Sequence, residues 1–140
     1  MFKKILAPTD GSENAHKALS YARGMLEKGN SQKLVVVHVI PKLTDDEGRG
    51  SELQQRAQKL ASLEGEDLVV KEKARFKDLP QVEFVTLRGI PHEEIVRYAK
   101  DNKFDLIVIG RQGVSKVVEF FIGSTTNEVI RNSTVPVLTV

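Results

Sequence analysis

The residues best suited to chemistry lie in one stretch. From Gly110 the chain reads Gly-Arg-Gln-Gly-Val-Ser-Lys-Val-Val-Glu-Phe-Phe-Ile-Gly-Ser-Thr-Thr. Gly110 and Gly113 stand three apart, nine residues separate Gly113 from Gly123, and Gly123 leads into Ser124 and Thr125. Glycines let backbone pass close to a bound group. The first amides of a helix have no internal partner, and with the helix dipole they attract phosphate. Ser124 and Thr125 add hydroxyl donors, and Arg111 or Lys116 a positive charge. The segment therefore predicts an anion site. Simpler readings stand beside it: two glycines three apart also make a plain turn, and Thr125 with Glu128 fits a capping box that needs no ligand. The position of all three glycines and the Ser-Thr pair in one strand-to-helix loop favours the phosphate site.

Asp10 is the second candidate. A carboxylate there can accept from ribose hydroxyls, cap the following helix or hold a metal; before Gly-Ser, capping or a local turn is the default. The three histidines, His16, His38 and His92, show no paired metal-ligand spacing. His16 falls on a helix beside the cleft, His38 inside an apolar strand and His92 in a helix's first turn; His38 reads as a satisfied interior histidine and His92 as an exposed one. There is no Gly-x-x-x-x-Gly-Lys-Ser/Thr loop, no Gly-x-Gly-x-x-Gly after the first strand and no Gly-x-Ser-x-Gly elbow. A P-loop hydrolase is excluded, and a dinucleotide dehydrogenase has no motif.

The elements that must position these residues alternate strictly. Five apolar runs read as strands: Phe2 to Ala7, Leu34 to Ile40, Val82 to Leu87, Phe104 to Ile109 and Val135 to Val140. The second is apolar almost throughout, which suggests burial on both faces. Pro136, which has no N–H for the ladder, argues against a central place for the last. Ala15, Ala18, Leu19, Ala22, Met25 and Leu26 mark a helix with Ser12 as N-cap and Gly29-Asn30 as its stop. A second helix begins near Leu53, and its course past Gly65 towards Phe76 is open: it continues or breaks there. Pro91 opens a third helix, and Val129 and Ile130 sit on a last short one. Thr44 to Gly50 reads as a surface loop. Phe120, Phe121 and Ile122 read as core or dimer surface. The alternation predicts an α/β domain over residues 1–140, an open, doubly wound, five-stranded parallel sheet with helices on both faces. Ligands of such sheets bind beyond the strands' carboxyl ends where strand order reverses.

Composition narrows the function classes. The 140 residues are 40% hydrophobic and 29% charged, with 21 basic against 19 acidic side chains. The formal charge of +2 has no basic tract behind it, so nucleic acid and membrane surfaces are not expected partners. The absence of cysteine excludes disulfides, thiolate metal sites and a thiol nucleophile. No apolar run reaches the ~20 residues of a membrane span, and Pro8-Thr9-Asp10 interrupts the opening apolar run before it could serve as a signal peptide. A cytoplasmic location is expected.

The pattern Gly110-x-x-Gly113, nine residues, then Gly123-Ser124 resembles the nucleotide-binding signature of the universal stress protein family. The likeness runs the length of the chain, through Ile5 to Ser12, His38 to Ile40, Gly89 to Ile95 and Pro136 to Leu138. The resemblance implies a sheet of order 3-2-1-4-5 and ATP in the cleft beyond strands one and four, with AMP or ADP as alternatives and Mg²⁺ held through the phosphates. It also implies a homodimer. Carried over, Gly110, Gly113, Gly123, Ser124 and Thr125 hold ribose and phosphates, with Ile109, Arg111 and Lys116 beside them. Pro8, Thr9, Asp10 and Val39 face the base and ribose. Family members often carry Ser-His or a similar pair where this chain has Arg111-Gln112, which leaves binding intact and removes a proton-transfer group. Strand 135–140, an apolar edge, is expected to pair antiparallel with its copy.

The function expected is an ATP-binding, homodimeric stress-response module with slow hydrolysis at most and an unidentified protein partner. The alternatives are a nucleotide-free dimeric interaction module and a weak ATPase or phosphotransferase. A phosphoacceptor receiver domain shares the architecture but needs an Asp ending strand three, where this chain has Thr86-Leu-Arg-Gly89.

Overall fold

The computed structural model describes residues 2–43, 51–112 and 122–140. The elements run β1 (Phe2–Pro8), α1 (Glu13–Glu27), β2 (Ser31–Pro41), α2 (Glu52–Arg75), β3 (Val82–Gly89), α3 (Pro91–Asp101), β4 (Leu106–Ile109), α4 (Ser124–Asn132) and β5 (Val137–Thr139). All four strand pairings are parallel, in the order β3-β2-β1-β4-β5. That is the expected sheet. The loop expected over Thr44 to Gly50 and the aromatic pair Phe120-Phe121 lie outside the described residues; Ile122 is exposed.

Alternation along the strands divides the core in two. Ile5, Ala7, Leu34, Val36, Leu106 and Val108 face one side, where α1 buries Ala18, Leu19, Ala22 and Leu26. Leu6, Val35, Val37, Val39, Ile107 and Ile109 face the other, against Ile95 and Ala99 of α3 and Val129 of α4. The unbroken apolar run of β2 is thus covered on both faces, as a central parallel strand requires.

Several boundaries differ from the periodicity, each for a local reason. β4 starts at Leu106 rather than Phe104, because Asp105 turns its side chain onto the backbone of β1: Lys4 N–H donates to Asp105 Oδ2 at 2.8 Å. β5 is shorter than Val135 to Val140. Val135 N–H donates to Ser133 Oγ and its carbonyl accepts from the same hydroxyl, and Pro136 has no N–H, so the ladder gains only the Pro136 carbonyl, which accepts from Ile107 N–H at 2.9 Å. α2 runs through Gly65 without a break. A Cβ at Gly65 would stand 2.9 Å from Ile40 Cγ1 and 3.1 Å from the His38 ring, so the glycine that weakens the helix lets it lie close on β2. Ser51 caps α2 in a reciprocal box with Gln54, and His16 Nε2 pairs with the buried Glu72 Oε1 at 2.7 Å, tying α2 to α1.

No helix among the described residues is long and apolar enough to cross a membrane.

Candidate functional site

The carboxyl ends of β1, β2 and β4 open into a cavity of about 630 Å³, within the ~300–1,000 Å³ usual for small-molecule sites. It lies where strand order reverses, between β1 and β4. Pro8, Thr9 and Asp10 continue β1 into it, Val37, His38, Val39 and Pro41 come from β2, and Ile109, Gly110 and Gln112 from β4. Ala61, Glu64, Gly65 and Leu68 of α2 form one wall, Pro91 and Ile95 of α3 another, and Gly123 to Thr126 close the mouth. The lining is mostly apolar, with polar groups gathered at the β1 and α4 ends.

The β1 loop is held by its own side chains. Thr9 N–H donates to Val37 O at 2.8 Å, Gly11 N–H to Thr9 Oγ1 at 3.1 Å and Ser12 N–H to Asp10 Oδ1 at 2.9 Å. Gly11 has φ +80°, which the turn requires. Ser12 Oγ then caps α1 by accepting from Ala15 N–H at 3.1 Å. Asp10 spends one carboxylate oxygen on this local turn, while its side chain stays exposed at the cavity rim. His38 Nδ1 lies 2.8 Å from Thr9 O. A carbonyl only accepts, so Nδ1 carries the proton, and in the tautomer with that bond Nε2 is an acceptor.

The α4 end is built differently. Gly123, at φ −61° and ψ 155°, is the N-cap and supplies no side-chain cap. Thr125 and Glu128 therefore do not form the capping box that their spacing allows: α4 begins at Ser124, which places Thr125 inside the first turn rather than before it. The amides of that first turn are the ones a helix leaves without an internal acceptor, and they stand at the cavity mouth beside the Ser124 and Thr125 hydroxyls. Two bonds fix the turn to β4: Gly123 N–H donates to Arg111 O at 2.9 Å, and the buried Thr126 hydroxyl donates to Gly110 O at 2.7 Å.

Gly110 has a packing role in addition to its place in the lining. A Cβ there would meet the backbone carbonyl of Asn14, carbon and oxygen, at 2.8 Å and Ala15 N at 3.0 Å. The bare backbone at Gly110 lets the first turn of α1 sit against the end of β4.

Pro8, Thr9, Asp10, Val39, Ile109, Gly110, Gly123, Ser124 and Thr125 are thus brought to one cavity. Arg111 is half-buried and not part of its lining; its N–H donates to Val140 O at 2.9 Å. Gly113 and Lys116 lie outside the described residues. Gln112 is buried, at 2% exposure, and lines the cavity. Sequence reasoning missed the α2 wall, His38 as a lining residue and Thr126. The one usable signal was Gly65, a glycine inside a helical pattern, which marks a close approach.

The model of the universal stress protein family matches residues 1–140. The chain belongs to the universal stress protein family. Universal stress protein MJ0577 of Methanocaldococcus jannaschii is 32% identical to it over 155 aligned positions that cover 100% of this chain and 95% of the relative. The solved structure of MJ0577 superposes with a TM-score of 0.84 at 33% identity, covering 100% of this chain and 96% of that one. Two more distant structures share the fold. A universal stress protein in complex with cAMP matches with a TM-score of 0.71 at 22% identity, over 99% and 97% of the two chains. An Arabidopsis thaliana member with AMP bound matches at 0.69 and 15%, over 99% and 90%. Some universal stress proteins of this fold therefore bind adenine nucleotides.

Proposed function

We propose that this universal stress protein binds ATP in the cavity between β1 and β4 and acts as a nucleotide-dependent stress-response module. The observation that carries the reading is the uncapped first turn of α4 at the mouth of a mostly apolar cavity. Unpartnered amides and two hydroxyls suit a phosphate tail, and the apolar walls suit a base. In this arrangement Gly123, Ser124 and Thr125 hold the phosphates, with Gly113, Arg111 and Lys116 of the same motif assisting. Thr9 and Asp10 face the ribose, and Pro8, Val39 and Ile109 face the base. His38 Nε2, as an acceptor, suits an exocyclic amino group.

No group of three or more metal-ligating side chains occurs among the described residues. A divalent ion, where used, is held through the phosphates, whose charge it would offset. The described cavity places no paired acid and base at the phosphate end, so turnover is slow and occupancy itself is the signal. We further propose that the protein is cytoplasmic and dimerises through β5. That strand is a sheet edge bonded on one side to β4, and its antiparallel pairing with a second copy would cover both edges.

Calorimetry on nucleotide-stripped protein tests the reading. ATP should bind, and Gly123→Val, whose backbone angles any residue adopts, should weaken ATP at least about tenfold through its side chain while melting normally. Absence of heat with ATP, ADP and AMP at millimolar dose on folded protein would refute it.

A further inference from the structure

α2 is apolar on two opposite sides. Its inward face, Ala61, Gly65 and Leu68, lines the cavity. Its outward face carries Leu53, Leu60, Leu63 and Val70, which are 76%, 57%, 54% and 65% exposed. These four, with Arg56 and Asp67 between them, recur in alternating steps of three and four residues: 53, 56, 60, 63, 67 and 70. That is the spacing of a helical seam, one stripe that can lie along a second helix. A solvated face has no reason to gather four large apolar side chains on one stripe across nearly three heptads.

We propose that this outward seam of α2 pairs antiparallel with the same seam of a second copy of the chain. The charge pattern selects both the occupant and the direction. With a two-fold axis crossing the seam between Leu60 and Leu63, Leu53 meets Val70 of the partner, Leu60 meets Leu63, and Arg56 meets Asp67. The two charged interruptions of the stripe thus face each other twice across the axis. The flanking positions agree, since the same register sets Glu52 beside Lys73 and Lys59 beside Glu66. A parallel in-register pair would stack Arg56 on Arg56 and Asp67 on Asp67, which like-charge repulsion opposes. Self-pairing therefore satisfies every layer in one direction only.

The charges are available for exchange. Arg56 now pairs with Glu52 at 3.2 Å and Asp67 with Lys71 at 2.9 Å, one helical turn away, with all four side chains more than half exposed; such pairs contribute little. The stripe from Leu53 to Val70 is ~26 Å long at 1.5 Å per residue, so the contact belongs to the small, transient class of below ~1,200 Å². Polar residues in a seam reduce stability and fix register, consistent with a contact that forms at high protein concentration. It lies on the cavity-forming helix, and it is independent of pairing through β5, so the two contacts together would join dimers into larger assemblies.

Charge variants and thiol cross-linking test it on the full-length protein. R56D sets Asp against Asp67 of the partner, and D67R sets Arg against Arg56; each alone should weaken the α2 contact at least about tenfold in sedimentation over a concentration series. Mixing R56D protein with D67R protein should restore it, because both cross-contacts become opposite in sign. The chain has no cysteine, so introduced thiols report alone. An equal mixture of L53C and V70C should be joined by a short bismaleimide, whereas L53C with itself, its two sites ~26 Å apart along the seam, should not. All four positions are exposed, and normal melting of each variant confirms the fold. Unchanged association in R56D and D67R, or cross-linking of the mixture no faster than of L53C alone, overturns the proposal. So does capture of the seam by lipid vesicles or another protein in its monomeric form without self-association.

Discussion

Replacing Gly110 with alanine should destabilise the whole domain, although Gly110 belongs to a motif associated with nucleotide. The added Cβ would sit 2.8 Å from the Asn14 carbonyl carbon and oxygen and 3.0 Å from Ala15 N. Contacts between non-bonded carbon atoms are favourable at ~3.5–4.0 Å, so the first turn of α1 must retreat by ~0.7 Å or more. It is not free to do so. Ser12 caps that turn, and Ala15, Ala18, Leu19 and Ala22 are buried behind it. The obstacle is backbone, which cannot rotate away as a side chain can. Overpacking of this kind costs ~2–3 kcal/mol, or roughly 6–12 °C in melting midpoint at this size. Urea and thermal unfolding of Gly110→Ala beside Gly123→Ala separate packing from ligand contact. Gly123 has φ −61°, so its alanine variant should melt within ~0.5 kcal/mol of the parent. A Gly110→Ala protein as stable as the parent would refute the reasoning.

Gly65→Ala gains about 1 kcal/mol of helix propensity, yet sets a methyl 2.9 Å from Ile40 and 3.1 Å from His38; the melt should change by less than ~2 kcal/mol while ATP affinity, by calorimetry, falls. His16→Ala leaves the buried Glu72 carboxylate without its 2.7 Å partner, so urea unfolding should show a loss of ~1–3 kcal/mol, recovered in part by H16A/E72L, which removes both groups. At the surface, the hydrogen bond from Arg23 holds the Asp78 carboxyl below its usual range. Its small stabilising effect is present above the unfolded value of ~3.9 and is lost as pH falls through the lower folded value. Melting of Asp78→Asn against the parent from pH 7 to 2 should therefore show a slight deficit that vanishes in acid; a deficit that grows in acid would contradict it.

What could be read from the residues alone follows the range of the interactions involved. The alternation of strands and helices and the Ser12 cap rest on local patterns: apolar runs, a capping serine before an apolar period, glycines at strand ends; the strand order comes only with the family resemblance. The α2 wall does not. Gly65 leaves the helix's course open until β2 is packed beneath it, when the missing side chain is seen to let the helix lie close on that strand. The periodicity of α2 is also blurred because two opposite faces are apolar, and a single-face template finds neither cleanly. His38 lies in an apolar strand and reads as interior; only the bond to Thr9 shows which ring nitrogen is occupied and that the ring borders the cavity.

The capping box offers the sharper lesson about the site. Thr125 and Glu128 have the right identities at the right spacing, but α4 begins two residues too early for them to act, because Gly123 and Thr126 are already tied to the end of β4 by the bonds to Arg111 O and from Thr126 to Gly110 O. Tertiary anchoring of the turn therefore decides that the helix opens without a side-chain cap. A helix start held from behind keeps its leading amides available without having to spend a side chain on them. The same anchoring explains the division of labour among the motif glycines. Gly110 needs to be bare so that α1 can approach, whereas Gly123 lines the cavity at the start of α4, where the proposed ligand would lie. If that division is correct, Thr126→Val, which keeps the shape and removes the hydroxyl, should loosen the turn and weaken ATP while leaving Gly110 packed. Thr126→Ser, which keeps the donor, should bind as the parent does. Equal affinity in the valine and serine variants would show that the anchor has no part in holding the ligand end.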